Sequence, residues 1–173
     1  MENIRKILKN KILILDGAMG TMIQDYKLDE NDYRGDKFSD YISSLKGNND
    51  LLSITQPKII EDIHYKYLMA GADIIETNTF NANSISQSDY NLEDFVFEMN
   101  FQSAQIAKNA VKRFNKNNED KKFVCGSIGP TNRTASLSPK VEDLSFRNVT
   151  FDELYATYYE QVDGLVKGGV DLL

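Results

Sequence analysis

The stretch AGADIIETNTF (residues 70–80) decides the fold. Gly71 closes a helical pattern. Residues 72–76 are a compact run, centred on Ile74 and Ile75, with the length of a buried strand. Glu76, Thr77, Asn78 and Thr79 then continue it as four consecutive polar residues. Burying that many polar groups without partners is costly. They either face a polar ligand or bond one another across the end of the sheet, and both readings stand at this stage.

Working outward, the same order repeats. Upstream, Pro57 opens a helix at a position that suits proline. Ile59, Ile60, Ile63, Tyr67 and Leu68 form its apolar stripe, and Gly71 ends it. Residues 12–15 are an apolar run ending in Asp16-Gly17, which reads as a buried strand and a turn. Ile4, Ile7 and Leu8 sit at helical spacing. Residues 25–50 are mostly polar and too long for an ordinary connector, which implies a functional or packed excursion. Downstream, Phe95, Val96, Met99, Ser103, Ile106, Ala110 and Phe114 share one face of a helix expected over residues 92–114. Residues 121–128 hold a third strand. Thr150 with Glu153 is a capping-box signature. The helix it opens carries Leu154, Tyr158, Val162 and Leu165, and Gly168-Gly169 stops it. Residues 170–173 begin a fourth strand.

Strand and helix in alternation mean parallel βα units. The expected fold class is therefore α/β, with four parallel strands in sequential order and helices outside. The polar and glycine-rich segments all follow strands: DGAMGT at 16–21, ETNTF at 76–80 and GSIGPTNRT at 126–134. Ligand sites of parallel α/β folds lie at the carboxyl ends of the strands, so three polar strand ends in succession mark a site.

Composition bounds what that site can serve. The 173 residues carry a net charge of −6 and are 41% hydrophobic, a globular composition with room for a core. The acidic balance and scattered basic residues argue against nucleic acid. No apolar run approaches the roughly 20 residues of a membrane span. The charged start MENIRKILKN lacks a signal-peptide core. Cys125 is the single cysteine, which rules out an internal disulfide, and the chain is expected to be cytoplasmic.

In DGAMGT, two glycines flank a segment that can aim backbone N–H groups at an anion such as a substrate carboxylate, with Asp16 beside them to hold an ammonium. Asp16-Gly17 is equally readable as a plain turn. The Gly-x-x-Gly spacing lacks the three-glycine dinucleotide fingerprint. Ser127 and Thr131 offer hydroxyls, Gly126 and Gly129 allow close backbone approach, and Pro130 stiffens the loop. Arg133 and Arg147 read as surface charges more readily than as carboxylate partners. His64 reads as a packed or half-exposed helix residue, and Cys125 as a small buried apolar one. Neither has the neighbours of a zinc site. There is no Ser-His-Asp set, phosphate loop or Cys-x-x-Cys.

Taken in order, DGAMGTMIQ, GNNDLLSITQP, AGADIIETNTFNAN, GSIGPTNRTASLSP, and FRNVTFDEL with GGVDLL resemble the N-terminal module of the cobalamin-dependent methionine synthases, within the homocysteine methyltransferase group. The similarity runs from Ile12 to the last residue. It implies that residues 1–173 are the first half of a (β/α)8 TIM barrel, truncated near the fourth strand. It further implies a methyltransferase that binds homocysteine at the C-terminal face of that barrel. There zinc lowers the thiol pKa, and the thiolate takes a methyl group from methylcobalamin. Cobalamin and methyltetrahydrofolate belong to separate modules of the same polypeptide.

By position, Asp16, Gly17, Ala18 and Met19 match the loop that cradles the amino-acid end of homocysteine. Glu76, Asn78 and Thr79 match the polar end of the second strand, and Gly129, Pro130 and Thr131 the third loop. The family's zinc ligands are cysteines near the ends of later strands, including a Cys-Cys pair, and Cys125 matches none of them. An acidic residue that contacts substrate follows the fourth strand. The chain alone is thus expected to bind neither zinc nor cobalamin, to be inactive, and to self-associate through open strand edges. The alternatives are a zinc-dependent homocysteine methyltransferase with a betaine or S-methylmethionine type of donor, and a small Rossmann- or flavodoxin-like module. The last would need five or more strands.

Overall fold

Four segments of the chain lie side by side, parallel and in sequence order. In the computed structural model, which describes residues 4–116, 118 and 120–173, Leu15 bridges Ile74, and Cys125 bridges Leu172. Between them strand β1 (Ile74–Glu76) pairs with β2 (Phe123–Cys125) in the register Ile74–Phe123, Ile75–Val124, Glu76–Cys125. The expected order of four is present, but the outer two segments are single bridges. Each bonds one neighbour only, so half of its ladder is missing. For the same reason the expectation that residues 12–15 are buried fails: Ile12 is 88% exposed and Ile14 59%. Of the charged start, residues 1–3 lie outside the described residues.

The helices in chain order are α1 (Ile4–Ile7), α2 (Met19–Gln24), α3 (Glu30–Arg34), α4 (Leu52–Thr55), α5 (Pro57–Met69), α6 (Ser84–Gln87), α7 (Val96–Phe114) and α8 (Phe151–Gly168). Proline sits at the start of α5, whose buried face is Ile60, Ile63, His64 and Leu68. The three residues before α7 form a 3₁₀ turn rather than the first turn of the helix. Thr150 and Glu153 cap α8 reciprocally: the Glu153 amide donates to Thr150 Oγ1 at 3.2 Å and the Thr150 amide to Glu153 Oε2 at 2.7 Å. None of the helices among the described residues is long and apolar enough to cross a membrane.

Successive strand residues face opposite sides. Ile75 and Val124 sink into a core with Leu68, Ala72, Ala107, Ala110, Val111 and Phe114 of α5, α7 and their flanks. Glu76 and Cys125 stay half-exposed on the other face, so Cys125 is not the buried residue expected from its apolar surroundings. The polar excursion at residues 25–50 is packed. Tyr33, Phe38 and Leu45 join Leu51, Leu52, Ile60, Ile63, Leu92 and Met99 in a second core. The Arg34 guanidinium ties it together by donating to the carbonyls of Phe38, Tyr41 and Ser43.

Helices α7 and α8 touch through glycines. A Cβ on Gly164 would stand 2.9 Å from Asn100 Cβ, and one on Gly168 2.5 Å from Ala104 Cβ. Gly168, expected to stop the helix, is its last packed residue. Gly169, at φ +92°, makes the left-handed stop.

Candidate functional site

A cavity of about 460 Å³ opens at the carboxyl ends of the first three strand segments. Residues 16–20 form one wall, residues 76–81 another, and Asn49, Asp50 and Ser127 complete it.

Both oxygens of Asp16 accept the Glu76 backbone amide at 3.1 Å. Burial pushes the Asp16 carboxyl up to about 7, and the charge of Glu76 adds to the rise. Gly17 sits close under Tyr67: a Cβ there would stand 3.3 Å from its ring and hydroxyl, a tight contact. The Tyr67 hydroxyl in turn donates to the Ala18 carbonyl at 3.1 Å. Ala18 at the N-cap of α2 supplies no side-chain cap, and the amides of the first turn, as in any helix, have no partner within the helix.

In the second loop the ETNTF side chains bond one another and the neighbouring loops, and the segment also lines the cavity. The hydroxyls of Thr77 and Thr79 lie 2.6 Å apart. Thr79 Oγ1 donates to the Ser127 carbonyl at 2.8 Å, and the Ser127 amide donates to Thr77 Oγ1 at 2.9 Å. These threonines therefore lace the second loop to the third. Asn78 Nδ2 donates to the Asn49 carbonyl at 2.7 Å. Glu76 remains half-exposed in the cavity.

Of the residues expected at the site, Asp16, Gly17, Ala18, Met19, Glu76, Asn78 and Thr79 line this one cavity, as does Ser127. Thr79 lines it fully buried, its hydroxyl already engaged. Gly129 and Thr131 fall outside the lining. The close approach that Gly129 permits is to the second loop: its amide donates to the Phe80 carbonyl at 3.1 Å, and a Cβ would lie 2.3 Å from that oxygen. The Thr131 amide donates to the Tyr158 hydroxyl at 3.2 Å. Arg133 donates to Ser88 Oγ, and Arg147 to backbone carbonyls of residues 135, 144 and 146.

Sequence reasoning assigned no chemistry to Asn49, Asp50, Phe80 or Asn81. The signal for the first two was Gly47-Asn48-Asn49-Asp50, a run of small polar residues inside a segment that packs. Asp50 is 5% exposed and its Oδ1 accepts the Asn81 amide at 2.9 Å. Burial pushes its carboxyl up to about 6.

Zinc, implied by the sequence resemblance, does not fit the residues present. Cys125 is on β2 and His64 is fully buried in α5. Among the described residues no three His, Cys, Asp or Glu side chains come together to hold a metal ion. The cavity instead combines three carboxylates, of Asp16, Asp50 and Glu76, with the uncapped amides of the α2 turn. Its lining contains no Lys, Arg or His. Such a site suits a small zwitterion, with the ammonium on the carboxylates and the carboxylate on the amides.

Comparison with known proteins gives the same direction. A model of the family described as homocysteine S-methyltransferase matches residues 13–173. The homocysteine methyltransferase MmuM from Escherichia coli is similar in its oxidized form, with a TM-score of 0.72 and 21% identity over 98% of this chain and 55% of that chain. Its metallated form gives 0.71 at 21% identity with the same coverage. Its apo form gives 0.65 at 20% identity, covering 98% and 51%. At that identity the likeness is one of fold, and the chain spans about half the length of these structures.

Proposed function

The chain belongs to the homocysteine S-methyltransferase family, and from that premise we propose that it is the homocysteine-binding half of a methyltransferase built on a (β/α)8 barrel. The observation that carries this reading is the cavity itself: carboxylates and uncapped amides at the ends of consecutive parallel strands, with no basic side chain. In it Asp16 and Glu76 serve the substrate ammonium, and Gly17, Ala18 and Met19 offer backbone amides to the substrate carboxylate. Asn78 and Thr79 floor the cavity. Gly129 and Thr131 act at one remove, by seating the third loop against Phe80 and Tyr158.

The reaction we assign is methyl transfer to the homocysteine sulfur. A carbon–sulfur bond forms, the donor–methyl bond breaks, the thiol proton leaves, and methionine is the product. The ordered run of five sequence blocks supports methylcobalamin as donor, replenished from methyltetrahydrofolate on separate modules. Zinc ligation would then fall to cysteines outside this chain. A second donor class, betaine or S-methylmethionine, is separated from the first by the coding sequence past Leu173: only the cobalamin enzyme needs two further modules.

Titration calorimetry of the chain with L-homocysteine tests the site. Asp16→Ala should weaken binding at least about tenfold, a charge-assisted contact being worth about 1.5–3 kcal/mol, and by far more than it lowers folding stability through the lost contact to the Glu76 amide. Equal affinity in that variant would return Asp16 to the role of turn former.

A further inference from the structure

Asp50 is a buried acid in the cavity wall to which the proposed function assigns no individual role. It lies in the turn Asn49–Leu51 and is 5% exposed. Among the described residues no cation offsets its charge. What acts on it is burial, the Asn81 amide and its own backbone; it lines both the substrate cavity and a smaller one beside Gln87 and Tyr90, and neither lining holds a basic side chain. An ionised carboxylate kept from water without a counter-charge is costly to hold.

The structure nevertheless keeps this one in a fixed place. Asn78 Nδ2 donates to the Asn49 carbonyl at 2.7 Å, and Asn48 Nδ2 to Gln87 Oε1 at 2.7 Å. Gln87 Nε2 then donates to the Asn81 carbonyl at 3.0 Å, while the Asn81 amide donates to Asp50 at 2.9 Å. The turn and the second loop are thus one rigid wall, with the carboxylate set in it. Asp16 differs, since its two oxygens share the Glu76 amide and its place is fixed by the strand itself.

We propose that Asp50 is a specificity-determining residue of this site, its carboxylate receiving the α-ammonium of the amino-acid substrate. This rests on the homocysteine-binding reading and adds to it a residue from outside the strand ends. The competing role is structural, a lock on the Asn81 amide. Asp50→Asn separates the two, because an asparagine oxygen still accepts that amide while the charge is gone.

The experiment compares two probes by calorimetry on the purified chain: L-homocysteine, and 4-mercaptobutanoate, which is the same molecule without its amino group. Asp50→Asn should weaken homocysteine at least about tenfold and change 4-mercaptobutanoate less than about twofold. Equal losses on both probes, or none on either, would overturn the assignment and leave Asp50 as the lock. A chain that fails to bind homocysteine before any substitution would overturn the site reading and this inference with it. Should Asp50→Asn not fold, carboxyl ¹³C titration of the unsubstituted chain decides. Homocysteine should move the Asp50 midpoint downward and 4-mercaptobutanoate should not; an Asp50 signal that responds to both alike, or to neither, refutes the proposal.

Discussion

Asp16 reaches across the sheet to Glu76: both carboxylate oxygens lie 3.1 Å from the Glu76 amide, so the first two strand segments are clamped at the rim of the cavity. One side chain thereby joins a sheet contact to the wall of the cavity. Its protonation is set by that position.

The first prediction concerns that proton. Burial, with Glu76 nearby, pushes the Asp16 carboxyl up to about 7, so near neutral pH the free chain holds a proton there part of the time. An ammonium beside it favours the ionised form. Homocysteine binding between pH 6 and 7 should therefore release protons, seen as a calorimetric enthalpy that changes with the ionisation enthalpy of the buffer. In Asp16→Asn that dependence should shrink. In the unliganded protein the sign runs the other way from an ion-paired acid. The folded pKa lies above the unfolded value of about 3.9, so Asp16 costs stability as pH rises through that window, and Asp16→Asn should flatten the slope.

At the other end of the strands, Asp73 does the joining. Its Oδ1 accepts Lys11 Nζ at 2.8 Å and Lys122 Nζ at 3.1 Å, and its Oδ2 accepts the Ile14 amide at 3.1 Å. Asp171 repeats the device one pair of strands later, accepting the Val124 amide at 2.8 Å. Asp73→Ala would leave the Lys122 side chain, 4% exposed, without its counter-charge. The cost should be about 3–5 kcal/mol in urea unfolding. Lys11→Ala should cost under about 1 kcal/mol, because Lys11 is 53% exposed. Burial alone would raise the Asp73 carboxyl; Lys11, the Ile14 amide and Lys122 outweigh it and hold it low. That contribution is present above the ordinary carboxylate range and should fade as pH falls below it. Equal losses in the two variants would mean that the buried pair has no special weight.

The helical stripes of α5, α7 and α8 and the parallel order of the strands were legible because each is a local period in the sequence. What was not legible depends on which neighbour arrives. Residues 12–15 have the composition of a buried strand, but burial needs covering on both sides. Cys125 has the composition of a core residue, yet strand alternation turns it to the open face beside Glu76. Gly129 was expected to allow approach to a ligand, and the approach it allows is to Phe80. Asp50 escaped because its partner, Asn81, comes 31 residues later and only the folded second loop brings the two together.

Packing glycines give a sharper test. Gly168→Ala would put a methyl 2.5 Å from Ala104 Cβ and 2.9 Å from the Phe101 carbonyl, both on the neighbouring helix. Alanine raises helix propensity, so a surface glycine in α8 would gain from the change. Here the clash should win, with a loss of about 1–3 kcal/mol and α8 displaced from α7. Gly164→Ala, at 2.9 Å from Asn100 Cβ and 3.0 Å from the Phe97 carbonyl, should behave alike. A gain in melting temperature for either variant would show that the two helices can slide apart at little cost.

His64 is fully buried in α5, and among the described residues neither ring nitrogen has a hydrogen-bond partner. Burial pushes its pKa down to about 4. The unfolded chain, with an ordinary imidazole near 6.5, binds a proton more readily than the folded one between those values. Stability should therefore be intact above about pH 6.5 and fall by up to about 1.4 kcal/mol per pH unit as pH drops toward 4. His64→Leu removes both effects at once. It replaces an unpaired polar ring with an apolar side chain of similar size, which should raise stability at pH 7 by about 1–3 kcal/mol. It should also abolish this part of the acid slope. Urea unfolding of both proteins at pH 7 and pH 5 checks the two outcomes together. A variant that is less stable at pH 7 and keeps the full slope would mean that the imidazole is paired in solution and that another group titrates there.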